Sequence, residues 1–318
     1  VIFSILITIT FGLIFNSVQS NTITSAFNEA FGINKNIIGI VLTILTIFVI
    51  FGGIHRIAKV SEILVPVMAV AYICVALFVV IININKLPSL ISLIVENAFG
   101  FKQAIGGGIG AALMNGIKRG LFSNEAGMGS APNAAATATV SHPVKQGLIQ
   151  TLGVFTDTII ICTCTAFIIL LSGVDLNGEI AGIQITQNAL SSQVGSWGSY
   201  FIAICILLFA FSSIIGNYYY GESNIEFLSQ KKSSLIIYRI AVALMVLFGS
   251  TAKLEVVWNL ADVFMGLMAI INLIAISILG KIAFKALDDY TKQKKAGIKE
   301  PVFKASSIPE LKNVEEWQ

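Results

Sequence analysis

The chain has 318 residues, of which 56% are hydrophobic and only 12% charged, and its formal net charge is +3. Soluble domains carry about 25% charged residues, so this composition indicates a polytopic membrane protein. A basic stripe with interleaved aromatic residues is absent from the sequence, which argues against a nucleic-acid partner. All four cysteines lie within apolar runs and lack histidines at metal-ligand spacing, so they are interpreted as small buried hydrophobic residues.

Eight apolar segments reach the roughly 20 residues that a membrane-spanning helix needs. In chain order they cover about residues 1–28, 36–54, 62–82, 103–139, 143–172, 200–228, 234–251 and 256–284. Two further segments, about 86–99 and 174–194, are too short or too polar to span, and we predict surface or re-entrant helices there. We therefore predict an all-α polytopic membrane protein with one transmembrane domain over residues 1–284 and a polar tail over 285–318.

Basic residues predict the orientation of these spans, because cytoplasmic loops carry an excess of lysine and arginine. Most of the basic residues follow the second, fourth, sixth and eighth spans: His55, Arg56, Lys59, Lys145, Lys231, Lys232, Lys281, Lys285, Lys292, Lys294 and Lys295. Even-numbered spans and the C-terminal tail are therefore predicted to end in the cytoplasm. The chain begins inside an apolar run without a methionine or a signal peptide, so we expect a transmembrane domain that is incomplete at its N-terminus.

The fourth span is interrupted by a polar, glycine-rich stretch, residues 116–132, which reads GIKRGLFSNEAGMGSAP. Broken helix at membrane depth is tolerated only inside protein or along a wet cavity, and secondary transporters bind substrate and ions at such breaks. Ser123 and Asn124, with free carbonyl groups expected near 120–122, are neutral candidates for contacting a ligand. The charged residues of this stretch can be interpreted in two ways. They form either a functional cluster or an ion pair that locks the break: Lys118, Arg119 and Glu125.

Two other spans carry amide or acidic side chains in apolar surroundings. Asn16 and Gln19 are three residues apart in the first span and share a face, where they could bind an amino acid or join helices by hydrogen bonds. Asp157 lies about four turns into the fifth span, and we expect it to pair with Lys118 or Arg119 rather than to carry protons.

The sixth span contains adjacent hydroxyl groups, Ser212 and Ser213, followed by Asn217 and three tyrosines. Adjacent hydroxyls in a membrane helix can offer oxygen ligands to a hard cation such as Na⁺. The alternative is that both serines bond back to the preceding turn of their own helix. Enzyme signatures are missing, since the sequence contains neither a P-loop, a dinucleotide fingerprint, a GxSxG elbow nor an HExxH zinc motif. We therefore predict that the protein is not an enzyme.

The interrupted span and its continuation, GIKRGLFSNEAGMGSAPNAAATA and HPVKQGLIQTLGVFTDT, resemble the alanine/glycine:cation symporter family. Further resemblance lies in FNSVQSNT, FGGIHRIAKVSE, AFSSIIGNYYYGE and WNLADVFMGLMAIINL, so it covers nearly the whole chain. The resemblance implies a LeuT-type inverted-repeat fold, of which this chain would lack the first two core helices. It also implies carriers of alanine and glycine that are coupled to sodium or protons.

Carried over residue by residue, the resemblance implies a substrate site and a sodium site. The substrate site would comprise Asn16, Gln19, Phe122, Ser123, Asn124, Glu125, Asn217 and Met268, with Met268 in a gating wall. Na⁺ would be held by Ser212 and Ser213. We predict a multi-pass protein of the cytoplasmic membrane that transports a small neutral amino acid with Na⁺, or alternatively H⁺, by alternating access. A monomer is expected from the family alone. The alternatives to a symporter are a channel or passive pore and a purely structural membrane protein.

Overall fold

The computed structural model describes residues 1–52, 54–99, 108–176, 180–311, 314 and 317. The side chains of residues 54–62, 64, 108, 109 and 112 lie outside this description, and so do those of the basic residues 55–59 used to predict orientation. The described residues form eleven α-helices: α1 Ile2–Phe31, α2 Lys35–Gly52, α3 Ile54–Ile82, α4 Leu87–Ala98, α5 Gly108–Asn124, α6 Ala131–Ala135, α7 Pro143–Ser172, α8 Ile183–Val194, α9 Trp197–Leu228, α10 Lys232–Thr251 and α11 Leu254–Lys295.

Seven of these helices are long and apolar enough to cross a membrane, by length and composition: α1, α2, α3, α7, α9, α10 and α11. They coincide with seven of the eight predicted spans, which confirms an all-α polytopic membrane protein. The two predicted non-spanning segments appear as α4 and α8. The remaining predicted span is divided between α5 and α6, and its first residues fall among positions 100–107, outside the described residues.

Local sequence signals explain where the helices begin and end. Helix α1 ends at Gly32, whose φ of 68° is the left-handed conformation that glycine adopts without steric cost. Helix α7 begins with Pro143, which suits a first helical position because its missing N–H would have no partner there. His142 caps this helix, because its Nδ1 atom accepts a hydrogen bond of 3.2 Å from the Val144 N–H.

Helix α1 lies at the centre of the bundle. In its most apolar window 61% of the residues are buried, compared with 11% for α7. Its apolar face joins α11 and the loop after α5 in one core: Ile7, Phe11, Ile14, Phe15, Val18, Met128, Val257, Ala261, Met265 and Met268. On another face, α10 approaches closely enough that a Cβ atom at Gly249 would overlap the Ser17 carbonyl oxygen.

The peripheral helices leave apolar side chains exposed at helical spacing. On α2, Ile37, Ile40, Val41, Ile44 and Phe48 are all more than half exposed. Their spacing of three and four residues places them on one face of the helix. Such an apolar outer face is the surface that a bilayer-spanning helix presents to lipid.

The C-terminal end folds back onto the loop between α6 and α7. Helix α11 continues beyond the predicted end near 284 to Lys295, and the following segment reaches His142, which is fully buried. The Phe303 N–H donates to the Ser141 carbonyl over 2.9 Å, and the His142 Nε2 atom lies 3.2 Å from an Asp289 carboxylate oxygen. The tail is therefore anchored to the same end of the bundle as the interrupted span.

Candidate functional site

The helix break lies at Glu125–Ser130, between α5 and α6. Helix α5 continues to Asn124, so the expectation of free carbonyl groups near 120–122 is wrong: the Leu121 carbonyl, for example, accepts the Glu125 N–H over 3.1 Å. Three residues then have positive φ values, Glu125 at 57°, Gly127 at 97° and Gly129 at 86°. Glutamate rarely adopts this conformation, and strained backbone of this kind is concentrated at functional sites.

Polar side chains from three elements hold the broken segment in place. The Ser130 hydroxyl donates to a Glu125 carboxylate oxygen over 2.6 Å, and Asn272 of α11 donates from its Nδ2 atom to the Gly127 carbonyl over 2.8 Å. Asn224 of α9 donates from its Nδ2 atom to the side-chain Oδ1 atom of Asn133 in α6 over 3.0 Å. The Gly127 carbonyl, which lies outside any helix, therefore has a partner on another helix, as burial in a membrane requires.

A column of aromatic rings runs beside the break, from α11 through α5 and α1 to α9. Successive ring centroids lie 4.6 Å apart for Trp258 and Phe122, 4.8 Å for Phe122 and Phe15, 4.7 Å for Phe15 and Phe11, and 5.1 Å for Phe11 and Tyr220. The Arg119 guanidinium stands 4.3 Å from the Trp258 ring centroid. Phe122 thus belongs to the wall that joins the broken helix to the centre of the bundle.

The charges of α5 pair with α11 and not with each other. Lys118 Nζ lies 3.2 Å from an Asp262 carboxylate oxygen, and Arg119 forms an ion pair with the other oxygen of the same carboxylate. The hypothesis of an ion pair among Lys118, Arg119 and Glu125 is therefore wrong. Asp262 draws the two cations towards α11 because its side chain is only 17% exposed and would otherwise be poorly solvated.

The opposite side of α5 faces the fifth predicted span, α7. The Ser123 hydroxyl donates to an Asp157 carboxylate oxygen over 2.5 Å, and Asn124 donates from its Nδ2 atom to the Thr158 hydroxyl over 2.8 Å. The expected pairing of Asp157 with Lys118 or Arg119 is wrong, since Asp262 already binds both cations. The C-terminal part of α5 is thus held by side-chain hydrogen bonds to α7 on one side and by an ion pair to α11 on the other.

Four buried amides, Asn16, Asn21, Gln187 and Asn217, carry an atom without a hydrogen-bond partner among the described residues, and two of them are predicted site residues. Asn16 is fully buried; its Nδ2 atom donates to the Gly12 carbonyl over 2.8 Å, and its Oδ1 atom is unpaired. Asn217 is 5% exposed, and its Nδ2 atom is unpaired. Buried polar groups are normally satisfied, so an open acceptor and an open donor in packed helices mark candidate ligand positions.

The other predicted site residues occupy different surroundings. Gln19 is half-buried on α1, and Met268 is fully buried in the same apolar core that Phe122 contacts. Ser212 and Ser213 both donate to the Phe209 carbonyl of their own helix, over 2.8 and 2.9 Å. These bonds leave hydroxyl lone pairs free, while the two serines form no hydrogen bond with α5 within the described part of the chain.

A model of the sodium:alanine symporter family matches residues 1–305. The chain belongs to this family. Its members are membrane transporters, which agrees with the seven apolar helices and with the prediction that the protein is not an enzyme.

Several curated members of the sodium:alanine symporter family are similar to this chain over most of its length. The amino-acid carrier protein AlsT of Bacillus subtilis is 59% identical over 318 residues, which is 100% of this chain and 68% of the relative. The probable sodium/glutamine symporter GlnT of the same organism is 58% identical over 99% of this chain and 66% of its own length. The sodium/alanine symporter AgcS of Methanococcus maripaludis is 40% identical over 83% of this chain and 58% of its own length.

The chain therefore spans about two thirds of the length of AlsT and GlnT. Some residues of the site in this family member were not predicted from the sequence. Asn272 and Ser130, which fix the break, are single polar residues in apolar or glycine-rich surroundings, and that isolation is the signal that could have identified them. Phe11 and Phe15 gave no such signal, because they look like any other apolar residues of a spanning helix.

Proposed function

We propose that this protein takes part in symport of a small neutral amino acid with Na⁺ across the cell membrane. The observation that carries the proposal is a helix interrupted at Glu125–Ser130 within a chain of the sodium:alanine symporter family. Broken helices in transporters present backbone dipoles and polar side chains to substrate and coupling ions near the bilayer midplane. The names of the relatives, which include alanine, glutamine and general amino-acid carriers, support an amino acid as the cargo.

The substrate would bind where the break faces α1 and α9. Asn16 and Asn217 supply an unpaired acceptor and an unpaired donor, which complement the ammonium and the carboxylate of an amino acid. Phe122 and Met268 supply an apolar wall for the side chain, with Gln19, Ser123, Asn124 and Glu125 at its polar border. The amide and hydroxyl partners suit a zwitterion because they bind it without adding a further net charge.

The coupling ion would bind through oxygen atoms. Na⁺ takes hard oxygen ligands, and the Ser212 and Ser213 hydroxyl groups are the oxygen donors proposed here. The hydroxyl groups keep their lone pairs available while they donate to Phe209. Some relatives are named sodium/proton-dependent alanine carriers, so H⁺ is the second candidate ion.

Alternating access would follow from contacts that change when the two ligands bind. The last turn of α5 is tied to α7 by Ser123 and to α11 by Arg119, so movement of either helix alters the break. Ligands that bind one arrangement better than the other shift the equilibrium towards it, which couples the two binding events. The C-terminal tail and the end of the bundle to which it is anchored would face the cytoplasm. All of these contacts lie within one chain, so the protein would act as a monomer.

Uptake driven by a sodium gradient tests the proposal and separates it from a passive pore. Labelled alanine and glutamine would be presented to proteoliposomes under an inward Na⁺ gradient, an inward H⁺ gradient or neither. We expect saturable accumulation with Na⁺ and equilibration without it. Accumulation under the H⁺ gradient alone would show that H⁺, and not Na⁺, is the coupling ion. Equilibration that needs neither ion would overturn symport in favour of a pore.

A matched pair of variants connects the transport to the proposed site. Asn217→Leu removes the unpaired donor in the packed centre of α9, and Ser277→Ala removes a hydroxyl of α11 that donates to the Leu273 carbonyl of its own helix. We expect the first variant to lower uptake about tenfold and the second to leave it unchanged. Equal uptake by both variants in correctly folded protein would remove Asn217 from the site.

A further inference from the structure

The C-terminal tail lies between two parts of the bundle. We call residues 296–311, which follow α11, the C-terminal strap. The strap contacts the end of α11 on one side, and the start of α7 with the loop before it on the other. Its central side chains are packed, since Phe303 is 5% exposed and Ile308 only 1%. Burial of large apolar side chains gives the strap a defined docked position.

On the α11 side, one glutamine pairs with the strap as a second backbone would. The Gln293 Nε2 atom donates to the Val302 carbonyl over 2.9 Å, and the Val302 N–H donates to the Gln293 Oε1 atom over 3.0 Å. Farther along the strap, Glu310 forms an ion pair with Lys285 of α11. The strap is therefore held to the end of α11 at two separate points.

On the α7 side, the strap binds the loop that leads from the broken span into α7. The Phe303 N–H donates to the Ser141 carbonyl, and the Ser141 hydroxyl donates to the Pro301 carbonyl, both over 2.9 Å. Lys145, in the first turn of α7, forms an ion pair with Glu300. The strap thus links the start of α7 to the end of α11.

The segment between the helix break and α7 is anchored most firmly at its two ends. Ser130 at the break and His142 before α7 are both fully buried, whereas none of residues 131–141, all of which the structure describes, is buried. The strap forms the second anchor, because the Phe303 ring packs against the His142 ring at a centroid distance of 5.2 Å. This segment includes α6 and lines a cavity of about 550 Å³ that extends to Gly129 in the break. The strap therefore influences the position of α6 and the shape of this cavity.

From this geometry we propose that the C-terminal strap is a latch that restrains α6, the second half of the broken span. When the strap is docked, it ties Ser141 and the start of α7 to the end of α11 and holds α6 in place. When it is released, the anchor at His142 is lost. Contacts that exist in only one arrangement of the helices stabilise that arrangement and slow departure from it. This inference rests on the proposed function, because a latch matters only if the break changes shape during transport.

A substitution within the strap tests the restraint. Phe303→Ala removes the ring that packs against His142, whereas Val302→Ala, the matched control, shortens the neighbouring side chain, which is 53% exposed. We expect Phe303→Ala to speed hydrogen exchange of residues 131–141 about tenfold and to raise the maximal rate of sodium-driven alanine uptake about threefold at unchanged KM. Val302→Ala should match the unmodified protein in both measurements. Unchanged or lowered uptake by folded Phe303→Ala protein, or equal exchange in the two variants, would overturn the latch.

Reversible cross-linking tests the latch in the opposite direction. In a background with the four native cysteines replaced by alanine, Lys145→Cys/Glu300→Cys would be joined by a bis-maleimide whose spacer contains a disulfide. This bridge fixes the strap to α7, and we expect uptake to fall about fivefold and to recover when dithiothreitol cleaves the spacer. Lys285→Cys/Glu310→Cys is the matched control, because its bridge fixes the strap only to α11 and leaves the loop before α7 free to detach.

The two bridges distinguish the possible outcomes. Full uptake with positions 145 and 300 joined would overturn the latch, because the strap would then stay docked throughout the transport cycle. An equal loss of uptake with both bridges would also overturn it, since the restraint would not depend on the link to α7. Absence of sodium-driven uptake in the unmodified protein would instead remove the proposed function, and the latch with it.

Discussion

The first half of α1, up to Ser17, and the end of α5 use their polar side chains in opposite ways. On α1, the hydroxyl groups of Thr8, Thr10 and Ser17 donate to carbonyl groups three or four residues earlier in the same helix. On α5, by contrast, Ser123 donates to Asp157 of α7 and Arg119 binds Asp262 of α11. The first arrangement satisfies each group locally, and the second connects separate helices.

This difference shows which part of the molecule is suited to move. A hydroxyl bonded to its own helix keeps its partner whatever the neighbouring helices do, so α1 can serve as a fixed centre. A bond between two helices breaks or reforms when they shift, so its free energy depends on the conformational state. The comparison therefore predicts that packing changes at α1 impair folding, whereas changes at the α5 contacts impair transport.

The largest expected effect is on the packing of α1 against α10. A Cβ atom at Gly249 would overlap the Ser17 backbone, which cannot rotate away as a side chain could. Gly249→Ala should therefore lower the free energy of unfolding by about 1–3 kcal/mol and the thermal midpoint in detergent. Gly280→Ala on α11, where open space surrounds the new methyl group, is the control and should leave the midpoint unchanged or slightly raised. Equal midpoints for the two variants would contradict a close α1–α10 contact.

A second prediction concerns the ion pair between α5 and α11. Asp262→Asn removes the negative charge that pairs with both Lys118 and Arg119, and we expect sodium-driven uptake to fall about tenfold while the protein stays folded. Asp288→Asn, which breaks an exposed pair with Lys292 on the same helix, is the control and should have no effect.

The coupling between the two charges sharpens this prediction. If Arg119 and Asp262 act together, the variant Arg119→Gln/Asp262→Asn should transport no worse than Asp262→Asn alone. Strictly multiplicative losses from the two substitutions would show that each residue acts independently. If Asp262→Asn lowers the thermal midpoint as far as Gly249→Ala does, Asp262 stabilises the fold instead of acting in transport.

The smallest effect is expected at the C-terminal tail. Hydrogen bonds from Lys145 and Lys285 lower the pKa values of Glu300 and Glu310 below the ordinary carboxyl range. Because these pKa values are lower in the docked tail, docking is favoured above the ordinary carboxyl pKa and is lost as the pH falls through the lowered values. The carboxylates are 78% and 57% exposed, so the change should be small.

Hydrogen exchange of residues 301–311, corrected for the intrinsic pH dependence, measures this docking. Protection should be greater at pH 7 than near pH 3, and the variant Glu300→Gln/Glu310→Gln should lose most of the difference. Unchanged pH dependence in that variant would contradict a role of Glu300 and Glu310 in docking the tail.

The sequence alone determined the class of the protein and the place of its candidate site. Composition and the length of the apolar runs identified seven of the helices that the structure contains, because spanning a bilayer imposes a length and an apolar surface on each segment. The polar stretch 116–132 identified the broken span, because charged and glycine-rich sequence is costly at membrane depth.

Only the tertiary structure decided which groups meet. The sequence offered Lys118 and Arg119 a nearby Glu125 and a more distant Asp157, yet both cations bind Asp262, more than a hundred residues away. Likewise, the unpaired atoms of Asn16, Asn21 and Asn217 are recognisable only once every possible partner has been placed around them. Charge and amide content are properties of single residues, whereas pairing and burial depend on how separate helices pack together.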